Sequence, residues 1–115
     1  MSYSLLVAND SLPSEPIFDI YIGSAMHMQT YWESVAEEVG LPIISSISDR
    51  ADSEEGFVLE NKSLIEFKNE LVRLIEYWRK GNTMIAVPDG FFENLNNVID
   101  ALNYAMTDEL KVYIG

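Results

Sequence analysis

The 115-residue sequence contains no cysteine. Disulfides, thiolate metal sites and cysteine nucleophiles are thereby excluded, and hydrophobic packing must hold the fold without a covalent cross-link. Histidine is nearly absent too. The single His27 has no carboxylate at helical spacing, since positions 23, 30 and 31 are Gly23, Thr30 and Tyr31, so a histidine in the first turn of a helix is preferred to a zinc ligand. Cations are scarce: seven Lys and Arg stand against nineteen Asp and Glu, a net charge of −12. A field of that sign repels nucleic acid and anionic lipid and favours encounter with a basic protein. No apolar run approaches the roughly 20 residues of a membrane span. The segment Met1–Val7 lacks a basic n-region and is too short for a signal peptide, so the cytoplasm is the expected compartment. Phosphate-binding Gly-rich loops, the Gly-x-Ser-x-Gly elbow and the His-Glu-x-x-His zinc helix are all missing.

What is present is apolar and patterned. Hydrophobic residues make up 48% and aromatics 11%, enough for one core in a chain of this length, and residues 1–115 are expected to form a single domain. Ser4–Ala8 and Ile17–Ile22 read as strands, separated by a turn-rich segment with Pro13 and Pro16. Ser24 is a plausible N-cap for a helix whose inward stripe is Met28, Tyr31, Trp32, Val35, Ala36 and Val39, with Gly40 and Pro42 as stop signals. Glu33, Glu37 and Glu38 lie off that stripe and are expected in solvent. Leu41–Ile47 reads as a strand, residues 48–56 as a polar loop and Phe57–Leu59 as a short edge strand.

Ser63 and Glu66 spell a capping box for the next helix, with Leu64, Phe67, Leu71, Leu74, Ile75 and Trp78 as its buried stripe and Glu76–Lys80 as an i,i+4 pair. Thr83–Val87 reads as a central strand that Pro88-Asp89-Gly90 breaks. A helix from Phe91 to Met106 and a last strand, Leu110–Ile114, follow. The expected fold is α+β, a single layer of mixed or antiparallel sheet of five to six strands packed with three helices.

Candidate chemistry is thin. Acids recur at Asp49, Asp52, Glu54 and Glu55, but the calcium-loop pattern fails: Ala51 and Ser53 occupy ligand positions, and no central glycine follows. A solvated loop is the first reading and a docking surface for a basic partner the second. Sequence neighbours such as Glu37-Glu38 do not by themselves create the dry pocket that acid–base catalysis needs. Trp32 and Trp78 belong in the core, whereas Tyr31, Tyr77 and Tyr104 lie at stripe edges where tyrosine can serve an interface. The expected partner-binding residues are therefore Asp49, Asp52, Glu54, Glu55, Glu37 and Tyr77, with no catalytic residue, metal or cofactor.

Tyr21-Ile22-Gly23-Ser24 leading into a helix with Tyr31-Trp32, then Ser63-Leu64-Ile65-Glu66-Phe67-Lys68-Asn69-Glu70-Leu71 and a terminal helix and strand, form a layout found elsewhere. It resembles small immunity proteins of bacterial polymorphic-toxin and contact-dependent inhibition systems. The resemblance implies a cytoplasmic protein that binds and blocks a cognate toxin, commonly a basic nuclease, without catalysis or cofactor. The alternatives are a structural or adaptor subunit, assembling as a homodimer through a helix face or an edge strand, and an enzyme built on a buried carboxylate of raised pKa.

Overall fold

Alternation of apolar and polar residues builds the first layer, and the structure, a computed structural model, describes residues 2–9, 16–54, 56–81 and 85–115. In β1 (Ser2–Ala8), Tyr3, Leu5 and Val7 are buried while Ser4 and Leu6 on the opposite face are half-buried. β2 (Phe18–Ser24), β3 (Phe57–Leu59) and β4 (Lys111–Ile114) complete an antiparallel sheet in the order β2-β1-β4-β3. The chain's last strand thus lies in the middle, between β1 and β3, with Leu6 opposite Tyr113 and Val58 opposite Tyr113. The pairing of β1 with β2 slips between Tyr3 and Ser4, leaving Ile22 as an extra residue, so that Ile22 and Gly23 are both buried.

One face of the sheet carries the helices. The first helical run comprises α1 (Ala25–Met28), a π-helical turn (Gln29–Glu33) and α2 (Ser34–Val39). Ser24 caps it as expected, its Oγ accepting the His27 N–H at 3.1 Å, and Gly40 ends it in the left-handed region at φ 78°. Met28, Trp32, Val35 and Ala36 form its buried stripe. The Trp78 indole N–H donates to the Tyr31 carbonyl at 2.9 Å, whereas the buried Trp32 N–H has no partner among the described residues.

The expected strand over Leu41–Ile47 is instead two short helices, α3 (Pro42–Ser45) and α4 (Ile47–Ala51). The buried residues of this stretch, Leu41, Ile44 and Ile47, recur every third position, which fits a helix and not a strand. Pro42 sits in the first turn of α3, where a missing N–H costs nothing. Ser45 and Ser46 donate back to the Pro42 and Ile43 carbonyls, satisfying groups that a short helix leaves open.

α5 (Lys62–Arg79) buries Leu64, Phe67, Leu71, Leu74 and Trp78, with Ile75 half-buried. Its start differs from the capping-box expectation. Asn61 is the N-cap, and the Ser63 hydroxyl bonds the Glu60 backbone on both its N–H and its carbonyl; a serine at the second position of the helix is better placed to reach back than to cap. Glu76 and Lys80 make no ion pair. α6 (Phe91–Thr107) packs on α5 and against β1, β2 and β4, burying Phe91, Leu95, Val98, Ala101, Leu102 and Ala105.

No strand forms at residues 85–87: Ile85 and Ala86 are exposed, and Thr83 and Met84 lie outside the described residues, as do residues 10–15 of the expected turn-rich connection. The central positions of the sheet go to β1 and β4, and Pro88 removes the next ladder donor. Among the described residues the outcome is α+β, with an antiparallel four-stranded sheet, fewer strands than expected and more helical segments. Among the described residues no helix is long and apolar enough to cross a membrane.

Candidate binding surface

The acidic segment after α3 is not the featureless loop that its composition suggests. Asp49 lies on α4, and Asp52 and Glu54 lie in the turn that follows; all three are exposed, while Glu55 lies outside the described residues. The turn is ordered by Asp52 N–H to Ser48 O (3.1 Å), Ser53 N–H to Arg50 O (3.3 Å) and Gly56 N–H to Ser53 O (3.1 Å). The cation in this segment turns away from the acids. Arg50 donates to the Val58 carbonyl at 3.2 Å and lays its guanidinium over the Phe57 ring, 4.5 Å from the centroid.

Arg73 and Arg79 behave likewise. Arg73 donates to the Val39 carbonyl at 3.0 Å, closing the C-terminus of α2, and Arg79 covers the Phe92 ring at 4.9 Å. Lys111 pairs with Glu60 at 3.3 Å. The three arginines of the chain thus fasten backbone and aromatic groups, and none makes an ion pair with a carboxylate among the described residues.

Glu37 is exposed on α2, as expected, but Tyr77 is not a free interface group. Its hydroxyl donates to Glu38 Oε2 at 2.8 Å, and that bond holds the phenol above its ordinary pKa. Tyr77 and Arg73 belong to the seam between α5 and α2. The expected residues therefore do not form one cluster: Asp49, Asp52 and Glu54 lie on and after α4, Glu37 is exposed on α2 and Tyr77 on α5 is bonded to Glu38, and no hydrogen bond or ion pair links these groups among the described residues.

Sequence reasoning missed two glutamates. Glu70 on α5 is buried, and its two oxygens accept the Ile43 N–H (3.1 Å) and the Ile44 N–H (2.9 Å) at the start of α3. Burial pushes its carboxyl above the ordinary value against the pull of those N–H groups, with Glu66 adding to the rise and Arg73 opposing it. Its two N–H partners make Glu70 a structural cap on the start of α3. Glu33, expected in solvent, is half-buried and accepts both the N–H and the hydroxyl of Ser48 at the start of α4. Two helices read as a strand and a loop are thus held by carboxylates distant in sequence, a signal that local spacing does not carry.

A cavity of about 280 Å³ opens where the end of β2, the start of α1 and the first turn of α6 meet. Tyr21, Gly23, His27, Asp89, Phe91 and Asn94 are among its walls. The His27 ring lies on Gly23 so closely that a Cβ there would come within 2.4 Å of its Cδ2, and it also packs 5.0 Å from the Tyr31 ring and 6.0 Å from that of Phe91. Burial lowers the His27 pKa below its ordinary value. Ser24 Oγ is occupied as a helix cap, and Asp89 is the one carboxylate at this cavity. Among the described residues no group of three or more His, Asp or Glu could hold a metal ion. Known protein families, curated proteins and solved structures offer no match to the chain.

Proposed function

We propose that this chain is a toxin-neutralising immunity protein that binds a basic cognate toxin, a nuclease being the fitting class, through its acidic surface in the cytoplasm. The observation that carries this reading is the use of its cations. With a net charge of −12, the chain places Arg50, Arg73 and Arg79 on carbonyls and rings, which leaves Asp49, Asp52 and Glu54 exposed and unpaired. An acidic surface of that kind complements a cationic cleft, with carboxylates standing where substrate phosphates would lie. Binding, without catalysis or cofactor, is then the whole activity. Co-expression with any toxin domain that a neighbouring gene encodes tests it: growth should be restored and the two proteins should co-purify. Unrelieved growth arrest with the chain expressed in excess would contradict the reading.

A second reading, a non-catalytic structural subunit that forms a homodimer, draws support from the outer edge of β2. That edge has no partner strand among the described residues, and Ile17 and Tyr21 beside it are 50% and 57% exposed. Sedimentation at about 100 µM separates the two, since a dimer with a micromolar constant would be mostly associated there. A monomer at that concentration removes the homodimer.

A further inference from the structure

We infer that the cavity between β2, α1 and α6 is an anchor site for one arginine side chain of a protein partner. The inference holds whether or not that partner is a toxin. Its volume of about 280 Å³ falls at the small end of ligand pockets, which run from roughly 300 Å³ upward, and suits one side chain better than a cofactor.

The walls specify the side chain. Tyr21, His27 and Phe91 supply aromatic surface, on which a planar guanidinium stacks better than a compact ammonium. Two of the polar groups supply acceptors. Asn94 gives one N–H of its Nδ2 to the Tyr21 carbonyl at 2.9 Å and carries an acceptor in Oδ1, and Asp89 offers a carboxylate from the rim.

Charge excludes the opposite occupant. The N-terminus of α6, with Gly90 as a cap that has no side chain, brings a positive end of about half an elementary charge to the cavity. Asp89 before it brings a full negative charge at the cavity wall, Glu93 adds another in the first turn of the helix outside that wall, and the molecule as a whole carries −12. The balance favours a cation. Met26, 77% exposed on α1, and Tyr21, 57% exposed on β2, lie on the elements that form the cavity and give a partner apolar surface to cover around an inserted side chain.

The test is a nuclear magnetic resonance titration of the full chain with acetyl-Gly-Arg-Gly-amide and with matched peptides carrying citrulline, leucine or glutamate in place of arginine. The arginine peptide should shift the Ser24, His27 and Phe91 amides and the Asn94 side-chain amide saturably. Citrulline, which keeps the shape and loses the charge, should bind about tenfold more weakly or worse. Asp89→Asn should reduce arginine binding to the citrulline level, while Asp49→Asn should leave it unchanged. Equal responses to arginine and citrulline or leucine, a preference for glutamate, shifts confined to residues 49–54, or no shift at all would each overturn the assignment. The peptide comparison on the unaltered chain decides the matter even if Asp89→Asn fails to fold.

Discussion

At the residue scale the account turns on carboxylates and one histidine that are placed for structure. Glu70 satisfies two N–H groups at the start of α3, and without it both would be left near the core with no partner. Glu70→Ala should cost about 2–3 kcal/mol in chemical denaturation, and Glu70→Gln, which keeps one acceptor, about 1 kcal/mol. An unchanged stability for the alanine variant would show that the cap is dispensable. Gly23 offers a sharper contrast. Gly23→Ala would meet the His27 ring, whereas Gly40→Ala, also at positive φ, meets nothing within 4 Å. The first should cost about 2 kcal/mol or more and displace the His27 resonances, the second only about 1 kcal/mol of backbone strain.

The pH dependence follows from two shifts of opposite consequence. Burial lowers the His27 pKa, so the unfolded chain, near 6.5, takes up the proton first. Stability from the neutral imidazole is therefore full above 6.5 and falls as the pH drops below that value. Glu70 is raised above 4.5, so its contribution is full below that value and declines as the pH rises through the folded pKa. Between about pH 7.5 and pH 5.5, His27→Gln should lose less stability than the unaltered chain, while Glu70→Gln should lack the decline that the unaltered chain shows as the pH rises from 4.5. Parallel pH profiles for all three proteins would contradict both assignments.

At the scale of elements, the sequence was legible where side-chain period and chain punctuation agreed. β1, β2, the edge strand β3, the stripes of α5 and α6 and the Ser24 cap all follow from local pattern. Leu41–Ile47 misled because β-branched isoleucines suggest a strand, while the decisive features were the three-residue spacing of Leu41, Ile44 and Ile47 and the remote Glu70 and Glu33. Residues 85–87 of the expected central strand misled because an apolar run by itself says nothing of which strand occupies the centre, and among the described residues the C-terminal β4 took that place beside β1. The surface acids were legible as residue types. The cavity was not, since it joins Gly23 and His27 to Asp89 and Asn94 across some sixty residues of sequence.

The seam between α4 and β3 carries its own prediction. Arg50→Gln removes both the bond to the Val58 carbonyl and the stacking on Phe57, and should lower stability by about 1–2 kcal/mol. Hydrogen exchange should then quicken first in Phe57–Leu59, with β1 amides unaffected at early times. Uniform loss of protection across the sheet would show that the seam does not open by itself.

For the whole molecule, the charge that composition records becomes informative only when the structure shows where the cations went. A chain that paired its arginines with its acids would present a quieter surface. Here Arg50, Arg73 and Arg79 face carbonyls and rings, and much of the negative charge is left to act at a distance. The most direct measurement is the association rate of the chain with a toxin domain whose growth arrest it relieves, at low and high salt, compared with the Asp49→Asn, Asp52→Asn, Glu54→Gln triple variant. The rate should fall about tenfold or more from roughly 50 to 500 mM NaCl, and the variant should start lower and fall less steeply. A rate indifferent to salt and identical in the variant would contradict capture by the acidic surface.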